Sequence, residues 1–186
     1  MSTCDRLLLW ISVKGIKPRI TRGVSIPCNY TLQDLVSVVR ISMAWNPLPV
    51  SGWLRVKTGG ILRKQWRTME THDPDVSSRT LKNWEWRYPL LIECHLGPNA
   101  EWPFTLVQVG EAGFENGGEA FCWTGRNAGP PEDLPGPRAY RQLFGQPMDA
   151  EWAGFVSLAR PAYDPSAFNR DQINTQLAAY HAQQQK

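Results

Sequence analysis

Apolar and β-branched residues dominate the first stretch of the chain. Residues 6–14 read RLLLWISVK, a run that predicts a buried strand. A second strand is predicted over residues 18–26. The segment between the two runs contains Gly15 and Pro18, which are turn-forming residues. The pattern therefore predicts an N-terminal β-hairpin.

The hydrophobic pattern then changes to a helical period. Apolar residues recur three or four positions apart along one face, at Leu32, Leu35, Val36, Val39 and Met43. Thr31 stands at the expected N-cap, and Asp34 stands three positions later, where the acidic residue of a capping box belongs. The spacing predicts a helix that ends near Trp45, because Asn46 and Pro47 stop it.

The rest of the chain shows the pattern of further strands followed by helices. Strands are predicted over residues 52–58, 84–95 and 103–109. Helices are predicted over residues 138–144, over residues 149–159, and after an Asn169 N-cap with Ile173, Leu177 and Tyr180 facing inward. Residues 59–83 are polar and predicted to form a loop, and residues 181–186 are predicted to fray.

This order of elements predicts an α+β fold. We expect a single compact domain over residues 1–180, with an N-terminal β-hairpin, then a helix, a mixed sheet and C-terminal helices. The segment at residues 125–137 contains four prolines and three glycines, so no regular element is expected there.

The composition is that of a globular protein. The chain has 186 residues, of which 42% are hydrophobic and 20% charged, which excludes a wholly disordered chain. No apolar run reaches the length of about 18 residues that a membrane helix needs, and the N-terminus lacks the features of a signal peptide. We therefore expect a cytoplasmic protein without a membrane partner. The four cysteines form no CxxC pair, so we predict buried reduced thiols, no metal and no cofactor.

Positive charge and tryptophan are concentrated in the first half of the chain. Residues 1–93 hold 14 Lys and Arg against 7 Asp and Glu, whereas residues 94–186 hold 6 against 10. Cations bind phosphates and flat aromatic rings stack on bases, so the combination suits DNA or RNA, with an acidic protein as an alternative partner. A third interpretation is a solvated basic face over tryptophans of the core. The predicted binding residues are Arg55, Lys57, Arg63, Lys64, Trp66, Arg67, Trp84 and Arg87.

Three segments carry recognisable motifs. Residues 13–45 contain KGIKPRITR and TLQDLVSVVRISMAW, residues 125–140 read GRNAGPPEDLPGPRAY, and residues 163–177 read YDPSAFNRDQINTQL. In order and spacing they resemble the KGIKPPIWR hairpin, the TLxxLHxxIxxxMGW helix, the ACPPEDCGGPxGY signature and the FDPxxFDxxxxNxxL ending of the plasmid pRiA4b ORF-three-like family. The resemblance implies a compact α+β domain encoded on plasmids or other mobile elements, and it implies no particular activity.

Two further motifs of that family are altered in this chain. Where the family has HLHxF, residues 50–54 read VSGWL, without histidine. Where the family has YDFGDxWxH, residues 83–86 read NWEW, and Trp86 stands where a histidine is usual. The resemblance therefore supplies no histidines for catalysis.

The family signature loop also offers candidate chemistry. It consists of Pro130, Pro131, Glu132 and Asp133. Two adjacent carboxylates on a rigid loop are suited to bind a cation, or to act as acid and base if His95 or Cys122 approaches them in the fold. The structural alternative is that one of them caps the helix that follows or pairs with an arginine of the basic half.

Together these patterns favour a non-enzymatic accessory protein of a mobile element that docks on a nucleoprotein or nucleic-acid-processing complex. An anti-defence role, such as CRISPR inhibition, is one specific form of this function. The alternatives are a protein that binds DNA or RNA directly, and an enzyme that uses the loop with Glu132 and Asp133.

Overall fold

The computed structural model describes residues 5–47, 52–58, 65–70, 73–83, 91–96, 101–112, 118–144 and 163–185. The strands in these ranges are β1 (Arg6–Val13), β2 (Thr21–Pro27), β3 (Trp53–Thr58), β4 (Gln65–Glu70), β5 (Leu91–Leu96), β6 (Trp102–Ala112) and β7 (Phe121–Arg126). The helices are α1 (Leu32–Ser42), α2 (Pro74–Ser78), α3 (Gly136–Phe144) and α4 (Arg170–Gln184), with a 3-10 turn at Leu81–Asn83. The predicted α+β fold is thus confirmed. None of the described helices is long and apolar enough to cross a membrane.

The seven strands form one sheet in the order β4-β3-β5-β6-β1-β2-β7. Every pairing in it is antiparallel, so the predicted mixed sheet was wrong. The connections explain the difference. Three strand pairs are successive in the chain, and α1, the helix between β2 and β3, joins strands that are not neighbours in the sheet. A parallel pair needs a crossover between neighbouring strands, and the described elements contain none.

The core lies between α1 and one face of the sheet. Alternate side chains of the central strands are buried there, namely Leu7, Leu9, Ile11 and Val13 of β1 and Trp102, Phe104 and Leu106 of β6. The helix itself is buried from Leu35 to Ser42. Three of the four cysteines lie in the described residues and all three are buried thiols, as predicted.

The N-terminus of α1 is fixed by the predicted capping box. The Thr31 hydroxyl accepts a hydrogen bond from the Asp34 amide at 3.1 Å, and the Asp34 carboxylate accepts one from the Thr31 amide at 2.7 Å. The second oxygen of the same carboxylate accepts a hydrogen bond from the Tyr180 hydroxyl at 2.8 Å. The cap therefore also ties α1 to α4.

Several local predictions need correction. The segment 59–83, predicted as a loop, contains β4 and α2, and β7 was not predicted at all. Residues 181–184 continue α4 instead of fraying, because the His181 ring packs on Tyr30 and lies 2.9 Å from the Tyr30 hydroxyl. The predicted helix at 149–159 and the first part of the strand predicted at 84–95 lie outside the described residues.

We expect the substitution Thr31→Ala to lower the free energy of unfolding by about 1 kcal/mol, because it removes the N-cap acceptor from a buried helix. Urea denaturation measures the change. Thr175→Ala is the matched control, since Thr175 is exposed within α4, and it should change stability by less than about 0.5 kcal/mol. Equal losses in the two variants would contradict a stabilising role for the cap.

Candidate functional site

Four of the eight predicted binding residues lie on a two-stranded β-hairpin formed by β3 and β4. Arg55 and Lys57 belong to β3, and Trp66 and Arg67 belong to β4. The register places Lys57 opposite Trp66. The other predicted residues, Arg63, Lys64, Trp84 and Arg87, lie outside the described residues. We call the paired strands β3 and β4 the basic hairpin.

The basic hairpin forms one edge of the sheet. β4 is the last strand in the order, so among the described strands it pairs only with β3. Leu54 and Met69, which lie opposite each other, are buried and hold the hairpin on the core. On the opposite face, Trp53 stacks on His95 with ring centroids 4.0 Å apart, and Arg55 lies opposite Glu93.

The signature loop lies at the other side of the molecule, between β7 and α3. One carbonyl of the loop and the carbonyl of the residue that follows it accept hydrogen bonds from two buried indoles. Trp45 Nε1 donates to the Pro130 carbonyl at 2.6 Å, and Trp102 Nε1 donates to the Leu134 carbonyl at 3.0 Å. A buried indole needs such a partner, so these two tryptophans belong to the core and fix the loop upon it.

The loop also approaches the end of α1 more closely than a side chain would permit. A Cβ atom placed on Gly129 would lie 2.0 Å from the Met43 carbonyl oxygen. The Gly129 carbonyl in turn accepts a hydrogen bond from the Tyr163 hydroxyl at 3.1 Å. Gly129 is therefore the point at which α1, the loop and the segment before α4 meet.

Glu132 is the charge partner of a buried arginine. Arg40, in the last turn of α1, is 1% exposed, and its Nη2 lies 2.5 Å from Glu132 Oε1. Its Nε donates to the Asn46 carbonyl at 2.6 Å, and its guanidinium lies 5.7 Å from the centre of the Trp45 ring. The ion pair is one of the two structural roles that the sequence predicted for the loop, whereas Asp133 is exposed.

A cleft of about 410 Å³ opens beside the loop. Its walls are formed by residues 43–46, 128–132 and 163–169 and by the first turn of α4, and Arg22 of β2 reaches it from the sheet. Each of these four segments carries part of the motifs that resemble the pRiA4b ORF-three-like family. Although they are far apart in sequence, the fold brings them together in one place.

Arg22 is the most unusual residue of this cleft. It is 2% exposed, and its Nε donates to the Ser42 carbonyl at 2.7 Å, at the C-terminal end of α1. Its Nη1 donates to the carbonyls of Thr21 at 2.7 Å and Arg126 at 3.0 Å, and its guanidinium lies 4.7 Å from the centre of the Phe168 ring. Burial lowers the pKa of Arg22 to about 10, which leaves the side chain charged at neutral pH.

Sequence reasoning missed the buried arginines Arg22 and Arg40. Arg22 ends the KGIKPRITR motif within a strand that is otherwise almost free of charge, and Arg40 interrupts an apolar run in α1. A charge inside an apolar element signals either a buried partner or a functional site. That signal was present, but the Glu132 partner of Arg40 and the Arg126 and Phe168 partners of Arg22 lie 92 or more residues away in the sequence.

The residues proposed for acid–base chemistry are separated. Glu132 lines the cleft, but His95 and Cys122 are absent from the described residues around it. His95 stacks on Trp53, and the buried Cys122 thiol donates to the Thr124 carbonyl at 3.2 Å. Burial raises the pKa of Cys122, so the thiol is not activated. Among the described residues, no group of three His, Cys, Asp or Glu side chains is arranged to hold a metal.

A second positively charged surface surrounds the turn between β1 and β2. A hollow of about 630 Å³ is lined there by four cationic residues, Lys14, Lys17, Arg19 and Arg141. Lys14 pairs with Glu93 at 2.5 Å, while the other three form no ion pair with described residues. We call this surface the basic hollow. Lys14, Lys17 and Arg19 were not among the predicted binding residues, because the sequence assigned them only to the N-terminal β-hairpin.

We expect Gly129→Ala to lower the free energy of unfolding by at least about 2 kcal/mol, because the added methyl group collides with the Met43 carbonyl. Chemical denaturation measures the loss. The matched control is Gly118→Ala, where the nearest atom to the added carbon is a His181 ring carbon at 3.5 Å, an ordinary contact. A Gly129→Ala protein as stable as the control would show that the loop is not seated on α1.

No protein-family model matches the chain, and no curated protein matches it. A crystal structure of a protein of unknown function from Methanosarcina mazei Go1 is similar to it, with a TM-score of 0.70 and 20% sequence identity. The match covers 91% of this chain and 97% of that one. This likeness shows a shared α+β fold over nearly the whole chain, and the resemblance to the pRiA4b ORF-three-like family stays a prediction.

Proposed function

We propose that the protein is a non-enzymatic accessory protein of a mobile element, which docks on a nucleoprotein or nucleic-acid-processing complex through the basic hairpin. Inhibition of a defence system, such as CRISPR, is one form of this role. The mobile-element part of the proposal comes from the sequence resemblance. The docking part is supported by the edge position and the positive charge of the basic hairpin.

The observation that supports docking is the place of the basic hairpin at the edge of the sheet. An edge strand has unpaired backbone N–H and C=O groups, which an extended segment of a partner can bind. Arg55, Lys57 and Arg67 lie on the two strands of this edge. Their charge favours an acidic partner or one that carries nucleic acid. Basic residues on an edge strand also oppose pairing with a second copy of the same chain. The same charges therefore fit two roles, and a binding experiment distinguishes them.

The test is a pull-down with the tagged full chain from native host lysate, with and without nuclease, followed by mass spectrometry. We expect subunits of a nucleic-acid-processing complex to be recovered after nuclease treatment. The variant Arg63→Glu/Lys64→Glu/Arg67→Glu should reduce their recovery at least about tenfold, because charge reversal opposes the electrostatic attraction.

The matched control for this pull-down reverses three charges of the basic hollow instead, as Lys17→Glu/Arg19→Glu/Arg141→Glu. This variant should recover the same proteins in amounts close to those of the unchanged chain. Equal recovery with both variants would remove the basic hairpin from the proposal, and loss of all partners after nuclease treatment would favour direct binding of nucleic acid.

The basic hollow favours direct nucleic-acid binding as a second candidate function. Lys17, Arg19 and Arg141 provide three cations without described ion pairs, which is the arrangement that phosphates require. Ser12 lines the hollow, and Trp10, which is 36% exposed, stands two positions earlier on the same face of β1. An exposed indole beside cations is suited to stack on an unpaired base.

Fluorescence anisotropy with single-stranded DNA and RNA oligonucleotides at several salt concentrations tests this second candidate. If it is correct, affinity falls steeply with salt, and reversal of the three charges of the basic hollow lowers the slope of log K against log salt by about 2. The hairpin variant should keep the full slope. Affinity that does not depend on salt would contradict the candidate.

A further inference from the structure

We propose that the cleft beside the signature loop is a binding site for a small organic carboxylate, and that the guanidinium of Arg22 is the cation that binds the carboxylate group. The site lies beside β2 and β7, at the edge of the sheet opposite the basic hairpin. It therefore goes beyond the docking function and does not depend on it.

The first argument is the open hydrogen-bonding edge of Arg22. Its Nε and Nη1 are satisfied by three backbone carbonyls, but no described residue accepts a hydrogen bond from Nη2. Arg22 lines the cleft, so we infer that this open edge of the guanidinium is the part that a ligand in the cleft would meet.

The second argument is the uncompensated charge. No carboxylate among the described residues forms an ion pair with Arg22, whereas the neighbouring buried cation, Arg40, has Glu132. A buried cation without an anionic partner is unfavourable, even where carbonyl groups and an aromatic ring disperse its charge. An anion in the cleft would supply the missing partner.

The electrostatics of the walls add to this preference. The first turn of α4 lines the cleft with Asn169, Gln172 and Ile173, and the N-terminal end of a 15-residue helix carries partial positive charge. The Phe168 ring lies over one face of the Arg22 guanidinium. That face is covered, and the edge of the guanidinium stays available for hydrogen bonds.

The acidic residues at the cleft select for a ligand of low negative charge. Glu132 and Asp164 both line it, and Asp164 accepts two hydrogen bonds from Ser166, which lower its pKa. Two carboxylates near one open guanidinium edge would repel a doubly charged phosphate. A single carboxylate matches that edge in charge and shape, and Trp45 and Ile173 offer apolar surface to the body of the ligand.

The experiment is a nuclear magnetic resonance titration of the ¹⁵N-labelled full chain with acetate, phenylacetate and inorganic phosphate at constant ionic strength. We expect each carboxylate to shift the backbone amide signals of Gly129, Asn169 and Gln172 in a saturable way, with the three signals giving the same dissociation constant for a given ligand. Phenylacetate should bind more tightly than acetate, because its ring has apolar surface to bury. Phosphate should bind at least about tenfold more weakly than phenylacetate.

The variant that tests the location is Ala167→Trp. Arg22→Gln is the more direct change, but it removes hydrogen bonds that hold the fold together. Ala167 is exposed and lines the cleft, so a tryptophan there fills the cleft without disturbing the core. It should weaken binding of phenylacetate at least about tenfold. The matched control is Ala182→Trp, which adds the same side chain at an exposed position of α4 and should bind within about twofold of the unchanged chain.

Three results would overturn the proposal. Shifts that grow linearly without saturation for both carboxylates would exclude a site. Phosphate binding as tightly as phenylacetate would show that the cleft does not select a carboxylate. Unchanged affinity in Ala167→Trp would place the binding elsewhere on the chain.

Discussion

Two guanidinium groups have to be buried at the C-terminal end of α1, and the rest of this side of the molecule is arranged to satisfy them. Arg22 donates to the Ser42 carbonyl and Arg40 donates to the Asn46 carbonyl. The Ser42 carbonyl belongs to the last turn of α1, where carbonyl groups have no partner within the helix and carry partial negative charge, so it is a suitable acceptor for a cation. The helix end and Arg22 therefore stabilise each other, and Arg40 ties the segment after the helix to its last turn.

This constraint explains why segments distant in sequence meet here. The signature loop brings Glu132 to Arg40, and its close approach depends on Gly129. The segment before α4 brings Phe168 over Arg22. The opposite edge of the sheet is different, because strand pairing, the buried Leu54–Met69 pair and the stacking of Trp53 on His95 position the basic hairpin there. One side of the molecule is a buried polar site, and the other is a sheet edge whose two strands carry Arg55, Lys57 and Arg67.

Local sequence patterns predicted the elements whose stability is local. The hairpin of β1 and β2, the capping box at Thr31 and the N-cap at Asn169 follow from short-range rules, and all three are present. β4 and β7 were missed because their own sequences do not show a clear strand pattern. Each forms a strand by hydrogen bonding to a neighbouring strand, β4 to β3 and β7 to β2. The cleft could not be predicted either. Arg22 lies about a hundred residues or more from the loop and from Phe168 in the sequence, and only the folded sheet brings them together.

Tryptophans buried in the core have to be separated from tryptophans on the other face of the sheet before tryptophan is used as evidence for binding. Trp45 and Trp102 are buried, and each donates its indole N–H to a carbonyl beside the signature loop, so their presence is explained by the core. Trp10 and Trp53 lie on the other face of the sheet, where the first is partly exposed and the second stacks on His95. Of these four tryptophans, a partner can contact Trp10 and Trp53. The case for docking therefore rests on the charge and the edge position of the basic hairpin, and the number of tryptophans adds little to it.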